Sequence, residues 1–276
     1  MSTFVVKEQY NLDDFVSLIS FLRSENGCPW DRVQTHDSIR RNLLEEAYEL
    51  AETIDCDDKL HMKEELGDVM MQVLFHADIE ADADEFDIQD VADYACKKLV
   101  SRHPNLFGQE TDLDWDALKR LERGERTVAS EMDDVARSLP ALWRADKLGK
   151  KMSKVGWCWP AVEDALDKVE EETAELREGF LAGDFENVTE ELGDLLFAAV
   201  DVARMMGIDP EAALHAACEK AIRRFSHMER AAEQQGKTFA DLSLADKEAL
   251  HQRARAELEG KMPKTEDEAY FRSLEE

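Results

Sequence analysis

Glu46 and Glu49 in LLEEAYEL, and Glu65 and Asp68 in EELGDVMMQVLFHA, place four carboxylates within a short stretch of chain. The same types return 126 residues later as Glu172 and Glu175 in KVEEETAEL, and as Glu191 and Asp194 in EELGDLLFAAVDVA. At about 100° per residue, acids three apart share one helical edge, so Glu172 and Glu175 form one pair and Glu191 and Asp194 another. Two such edges brought together repel by about 1 kcal/mol per close pair in water, or about 4 kcal/mol at an effective dielectric near 20. A divalent cation relieves that repulsion. The repeated positions contain oxygen donors and neither His nor Cys, a set that suits Mg2+, with Mn2+ as a substitute, better than zinc or copper. An isolated Glu-x-x-Glu is usually a solvated helix face; here the acids border an apolar stripe and recur at the same spacing, which predicts an internal duplication.

The elements that must carry these acids read as helices. Val188, Leu192, Leu195, Ala199, Val202 and Met206 recur at alternating steps of four and three, as do Met62, Leu66, Val69 and Val73. Leu43, Ala47, Leu50 and Ile54, and Val169, Leu176 and Phe180, form the preceding stripes. Each half is thus predicted to hold an antiparallel helix pair joined by DCDDKLH or LAGDFEN, and two pairs build a four-helix bundle. The predicted fold is all-α, with an N-terminal helical domain over 1–110, a polar linker over 111–140, a C-terminal helical domain over 141–261 and an acidic tail over 262–276. The 12 Gly and 6 Pro are too few for a sandwich or barrel.

Cations follow the acids in each half. In ACKKLVSRH and ACEKAIRRF, Lys98 aligns with Lys220 and Arg102 with Arg224, while Arg223 stands where the first half has Ser101. Beside a metal they read as phosphate clamps. Trp30 and Trp157 are candidate stacking platforms for a base.

Composition bounds the ligands. A net charge of −29, from 63 acidic and 34 basic residues, repels polyanions and argues against a nucleic acid polymer as partner. A small polyphosphate is admitted where the site supplies a cation. Cys28, Cys56, Cys96, Cys158 and Cys218 are an odd set without a C-x-x-C pair, as expected of reduced thiols. The start MSTFVVKEQY has no basic segment followed by an apolar run, and the stretch LLFAAV ends at Asp201, so no membrane association and a cytoplasmic location are expected.

The doubled E-E-x-x-E and E-x-x-D motifs, with NGCPWDRVQTHDSI, RSLPAL, RADKLGK and KVG before the second acidic helix, resemble the MazG nucleoside triphosphate pyrophosphohydrolases of the all-α NTP pyrophosphatase superfamily over nearly the whole chain. The resemblance implies that Glu172, Glu175, Glu191 and Asp194 hold metal ions, with Glu171 as support or base. It implies the same of Glu46, Glu49, Glu65 and Asp68, with Glu45 in the supporting place. It further implies two tandem MazG-like domains, a homodimer, dependence on magnesium and attack of a metal-polarised water on the α-phosphorus, with pyrophosphate leaving. Where the family often carries Trp and Lys on the last helix, KEALHQRARAE has Leu250 and Arg253 or Arg255. Two further readings stand beside broad nucleotide-pool housekeeping: a non-catalytic helical dimer that binds a protein, and a narrower enzyme acting on dUTP or a phosphoribosyl-ATP. Between the copies, the denser cationic clamp around Arg223 points to the second half as the working site.

Overall fold

The structure, a computed structural model, describes residues 4–108 and 126–258. The described residues contain helices and no strand, and they divide into two compact units, 1–125 and 126–276. In the first unit, α1 (Leu12–Arg23), α2 (His36–Asp55) and α4 (Ile88–Ser101) all pack on α3 (Lys59–Asp82). The second unit begins with α5 (Val128–Asp133), followed by α6 (Ala141–Ser153), α7 (Val162–Ala182), α8 (Phe185–Met205), α9 (Pro210–Gln234) and α10 (Leu244–Leu258). There α6, α7 and α9 pack on α8, α5 packs on α6, and α10 folds back on α9. Helix α5 and residues 126–140, placed in the linker by composition, therefore fall in the second unit; the remaining linker residues up to 125 and the acidic tail lie outside the described residues.

The two helix pairs are built alike from their turns upward. Asp58 and Asp184, at the 126-residue offset, each cap the second helix of a pair. Their side chains accept from the N–H groups of Leu60 and His61, and of Glu186 and Asn187, at 3.2 Å each. The residue before each cap has positive φ: Asp57 at 52° and Gly183 at 73°. A left-handed residue lets the chain reverse within the turn, so the second helix lies back along the first.

Ile19, Ile39, Leu74 and Phe75 form the core of the first unit, and Met228, Ala231, Ala232, Leu242, Leu250 and Ala254 a second cluster between α9 and α10. Leu250 is buried there, which explains an apolar residue at that place in the last helix. The apolar stripes are only half covered within the chain. Ile54, Leu66, Val73, Phe180 and Leu192 lie 41–71% exposed. They were expected in the core of a bundle; a single helix pair covers one side of each stripe, and the outer side needs a further surface.

In the first unit, the Nδ1 atoms of His36 and His76 lie 2.7 Å apart, and His36 Nε2 lies 2.6 Å from Glu80 Oε1. Burial, then the neighbouring His36, lowers the pKa of His76 below the usual imidazole range. Between that lowered value and the unfolded value near 6.5, the unfolded chain binds more protons, so stability falls as pH drops through that window. As pH falls below about 6.5, this group should lower the unfolding free energy by at most about 1.4 kcal/mol per pH unit, read as a falling midpoint of thermal unfolding. His76→Val, which installs the type found at Val202 in the second copy, should flatten that slope, and an equally steep slope in the variant would reject the assignment.

Candidate metal and nucleotide site

Each helix pair brings three of its four acids together. Ligand oxygens of Glu46, Glu49 and Glu65 come within 4.8 Å of one another, and those of Glu172, Glu175 and Glu191 do the same. The fourth acid of each set stands outside the triad. Asp68 is near enough to act on both Glu46 and Glu65, and Asp194 lines a cavity together with Glu172. Desolvation, then repulsion from the neighbouring acids, raises the pKa of Glu46, Glu65 and Glu175 above the ordinary carboxylate range. Crowded, partly desolvated oxygens with raised proton affinity are what a hard divalent cation would replace protons on, so the residues present fit the metal that the composition of the motif suggests.

The second cluster is the more elaborately held. Glu172 is 4% exposed, and Lys168, one turn before it on α7, reaches both Glu172 at 2.5 Å and Glu171 at 2.7 Å. Hydrogen bonds to Glu171 and Glu172 raise the pKa of Lys168, keeping it charged. Asn187 donates to Glu191 Oε1 at 2.8 Å. Asn187 is in turn seated against Gly179, where a Cβ would lie 2.3 Å from Asn187 Oδ1, so the glycine allows α8 this approach to α7. At the same offsets the first half has Asn42 for Lys168, Thr53 for Gly179 and His61 for Asn187, and His61 pairs instead with Asp58. Lys168 could have been found in sequence from its i, i+4 spacing to Glu172.

Beside the second cluster lies a cavity of about 660 Å³. Glu172, Asp194 and Lys168 line one part of it, and Trp157, Trp159, Met152 and Phe197 supply apolar wall. Asp201 and Arg204 line it as well. Trp157 is thus at the cavity, though 76% exposed; Trp30 is 59% exposed beside the short helical turn Asp31–Val33 of the first unit. Lys220, Arg223 and Arg224 lie on α9 and do not line this cavity. Lys98 lies on α4, 5.8 Å from the Tyr94 ring centroid, and Arg102 caps the end of that helix. The helices therefore place the acids of each half together, and bring neither Arg223 nor the other expected clamp residues to the cavity wall.

A family model, the MazG nucleotide pyrophosphohydrolase domain, matches residues 34–107 and again residues 161–229, covering both acidic helix pairs. The chain belongs to the MazG family. It is 40% identical over 235 residues to the nucleoside triphosphate pyrophosphohydrolase/pyrophosphatase MazG of Thermotoga maritima, covering 84% of this chain and 91% of that one. It is 36% identical over 256 residues to the nucleoside triphosphate pyrophosphohydrolase of Escherichia coli, covering 88% and 97%. A third relative, YabN of Bacillus subtilis, is 43% identical over 254 residues, which are 89% of this chain and 52% of that protein. The two MazG matches begin and end around the two acid triads, so the duplication read from spacing is a duplication of the family's domain. No described helix is long and apolar enough to cross a membrane.

Proposed function

We propose that this protein hydrolyses nucleoside triphosphates to the monophosphate and pyrophosphate with Mg2+, as a broad-specificity enzyme of the nucleotide pool. The observation that carries the reading is an aromatic-walled cavity lined by Asp194 and by Glu172 of the second acid triad, in a chain whose full-length relatives are named for this activity. Glu172, Glu175, Glu191 and Asp194 would hold the metal, with Mn2+ as a substitute. Bound there, the metal would neutralise phosphate charge and polarise the attacking water. Glu172 is desolvated and prepositioned by Lys168, and Glu191 is oriented by Asn187, so little rearrangement is needed before the triphosphate enters. Glu171, exposed and paired with Lys168, would serve as support or base at the edge of the site. Lys220, Arg223 and Arg224, on α9 and outside the cavity lining, would meet only phosphate oxygens that extend beyond the cavity.

The second half is the working copy in this reading. At the positions of Ala198 and Asp201 on α8, α3 carries Gln72 and Phe75, both buried, so the equivalent space in the first copy is filled by side chains. Glu46, Glu49, Glu65 and Asp68, with Lys98 and Arg102, are then a structural or weakly active set. The half-exposed stripe around Leu66, Val73 and Leu192 supports a homodimer, and five free cysteines support a reducing, cytoplasmic setting.

The test is release of pyrophosphate by the purified full-length protein from ATP, GTP, CTP and UTP with and without Mg2+. Mg2+-dependent release of equal amounts of pyrophosphate and monophosphate from several of them is expected. Release of orthophosphate, or no turnover of any triphosphate, would reject the reading, and turnover of a single one would narrow it to one base.

A further inference from the structure

The cavity lining includes a polar pair that the metal chemistry does not use. Arg204 Nε and NH2 both donate to Asp201 Oδ1, at 3.1 and 2.8 Å, and Arg204 NH1 donates to Ser153 Oγ at 2.7 Å. Both side chains are largely buried, 15% exposed for Asp201 and 11% for Arg204. The pair is admitted by Gly149 on α6: a Cβ there would lie 2.8 Å from Arg204 Nε and 3.0 Å from Asp201 Oδ1. Two hydrogen bonds from Arg204 occupy Asp201 Oδ1. The second oxygen, Oδ2, has no partner among the described residues, and Asp201 lines the cavity.

We infer that Asp201 is the group that reads the nucleobase, accepting an N–H from its edge while Arg204 fixes the carboxylate. Asp201 follows Asp194 by seven residues, two turns of α8, so both face the same side with a separation of about 10 Å along the axis. That is comparable to the reach from a 5′ phosphate across the ribose to the far edge of a base. Trp157, Trp159 and Phe197 line the same cavity, and aromatic side chains are what a planar ring stacks on. Once a bound base covers Oδ2, an acceptor left without a donor costs far more than a lost contact in water, so the site favours bases with an N–H edge and rejects an isostere lacking it. Phe75 in the first copy has no such acceptor.

This rests on the pyrophosphohydrolase reading, and the test separates the two. The full-length protein and its Asp201→Asn variant are compared on ATP and on purine riboside triphosphate, which lacks the adenine amino group. Binding of the α,β-imido analogues of both is followed by calorimetry, and helicity by circular dichroism. Asn keeps the size and can still accept from Arg204, but turns an N–H donor toward the base. Wild type is expected to favour ATP by at least about tenfold in kcat/KM and in affinity, and the variant to lose or reverse that ratio. The ratio is independent of the folded fraction. No preference in wild type, or the same preference in the variant, overturns the role of Asp201. Absence of pyrophosphate release by wild type overturns the hydrolase reading, while the affinity ratio still decides whether Asp201 reads the base.

Discussion

Glu172→Gln is expected to reduce the rate of pyrophosphate release by about 10²- to 10³-fold at saturating Mg2+, with the helical spectrum unchanged. The amide keeps the shape of the buried side chain and removes the charge that would hold the metal against phosphate. Glu172 is the most buried acid of the second triad, so water cannot take over its part. The matched change in the first copy, Glu46→Gln, should leave the rate close to wild type, because Gln72 and Phe75 fill the space that Ala198 and Asp201 leave open. Steady-state kinetics on both variants decide the matter. A Glu172→Gln enzyme that turns over at the wild-type rate, or a Glu46→Gln enzyme that is equally crippled, would shift the site to the first half or to both.

The second large effect is on stability and is linked to metal. Lys168→Met leaves Glu172 and Glu171 without their cation, beside Glu175 and Glu191. Breaking a fully buried ion pair costs about 3–5 kcal/mol; with Lys168 itself 29% exposed, about 2 kcal/mol is expected. For a unit of this size that lowers the unfolding midpoint by roughly 5 °C in the presence of EDTA. Divalent cation binds the folded state alone and supplies the missing positive charge, so excess Mg2+ should nearly erase the difference between variant and wild type. Equal deficits with EDTA and with Mg2+, measured by thermal unfolding, would mean that the cation does not occupy the Glu172 cluster.

Much of this molecule is legible in the order of its residues. The 126-residue offset, the three-and-four spacing of the apolar positions and the acids at their border give two helix pairs with one triad each, and the helices at Val162–Ala182 and Phe185–Met205 carry them as the spacing predicts. Such features depend on contacts within a few turns or across one tight turn, and a helix period is enough to express them. Of the four carboxylates expected to converge, three of each set meet within 4.8 Å, while Asp68 acts on Glu46 and Glu65 and Asp194 lines the cavity with Glu172. Periodicity also says which residues share a stripe without saying how much of the stripe is covered, which is why Leu66 and Leu192 are about half exposed.

What tertiary structure alone decided is the cavity and the polar pair in its lining. Asp201 and Arg204 look in sequence like charges interrupting an apolar helix. They become a buried pair only because α6 approaches α8 at Gly149 and the Gly156–Pro160 segment carries Trp157 and Trp159 to the same space. Those groups are tens of residues apart, and no local period relates them. Residue type and spacing determine what a helix can offer on each face, whereas the enclosure of a polar group on that face comes from which other segment covers it.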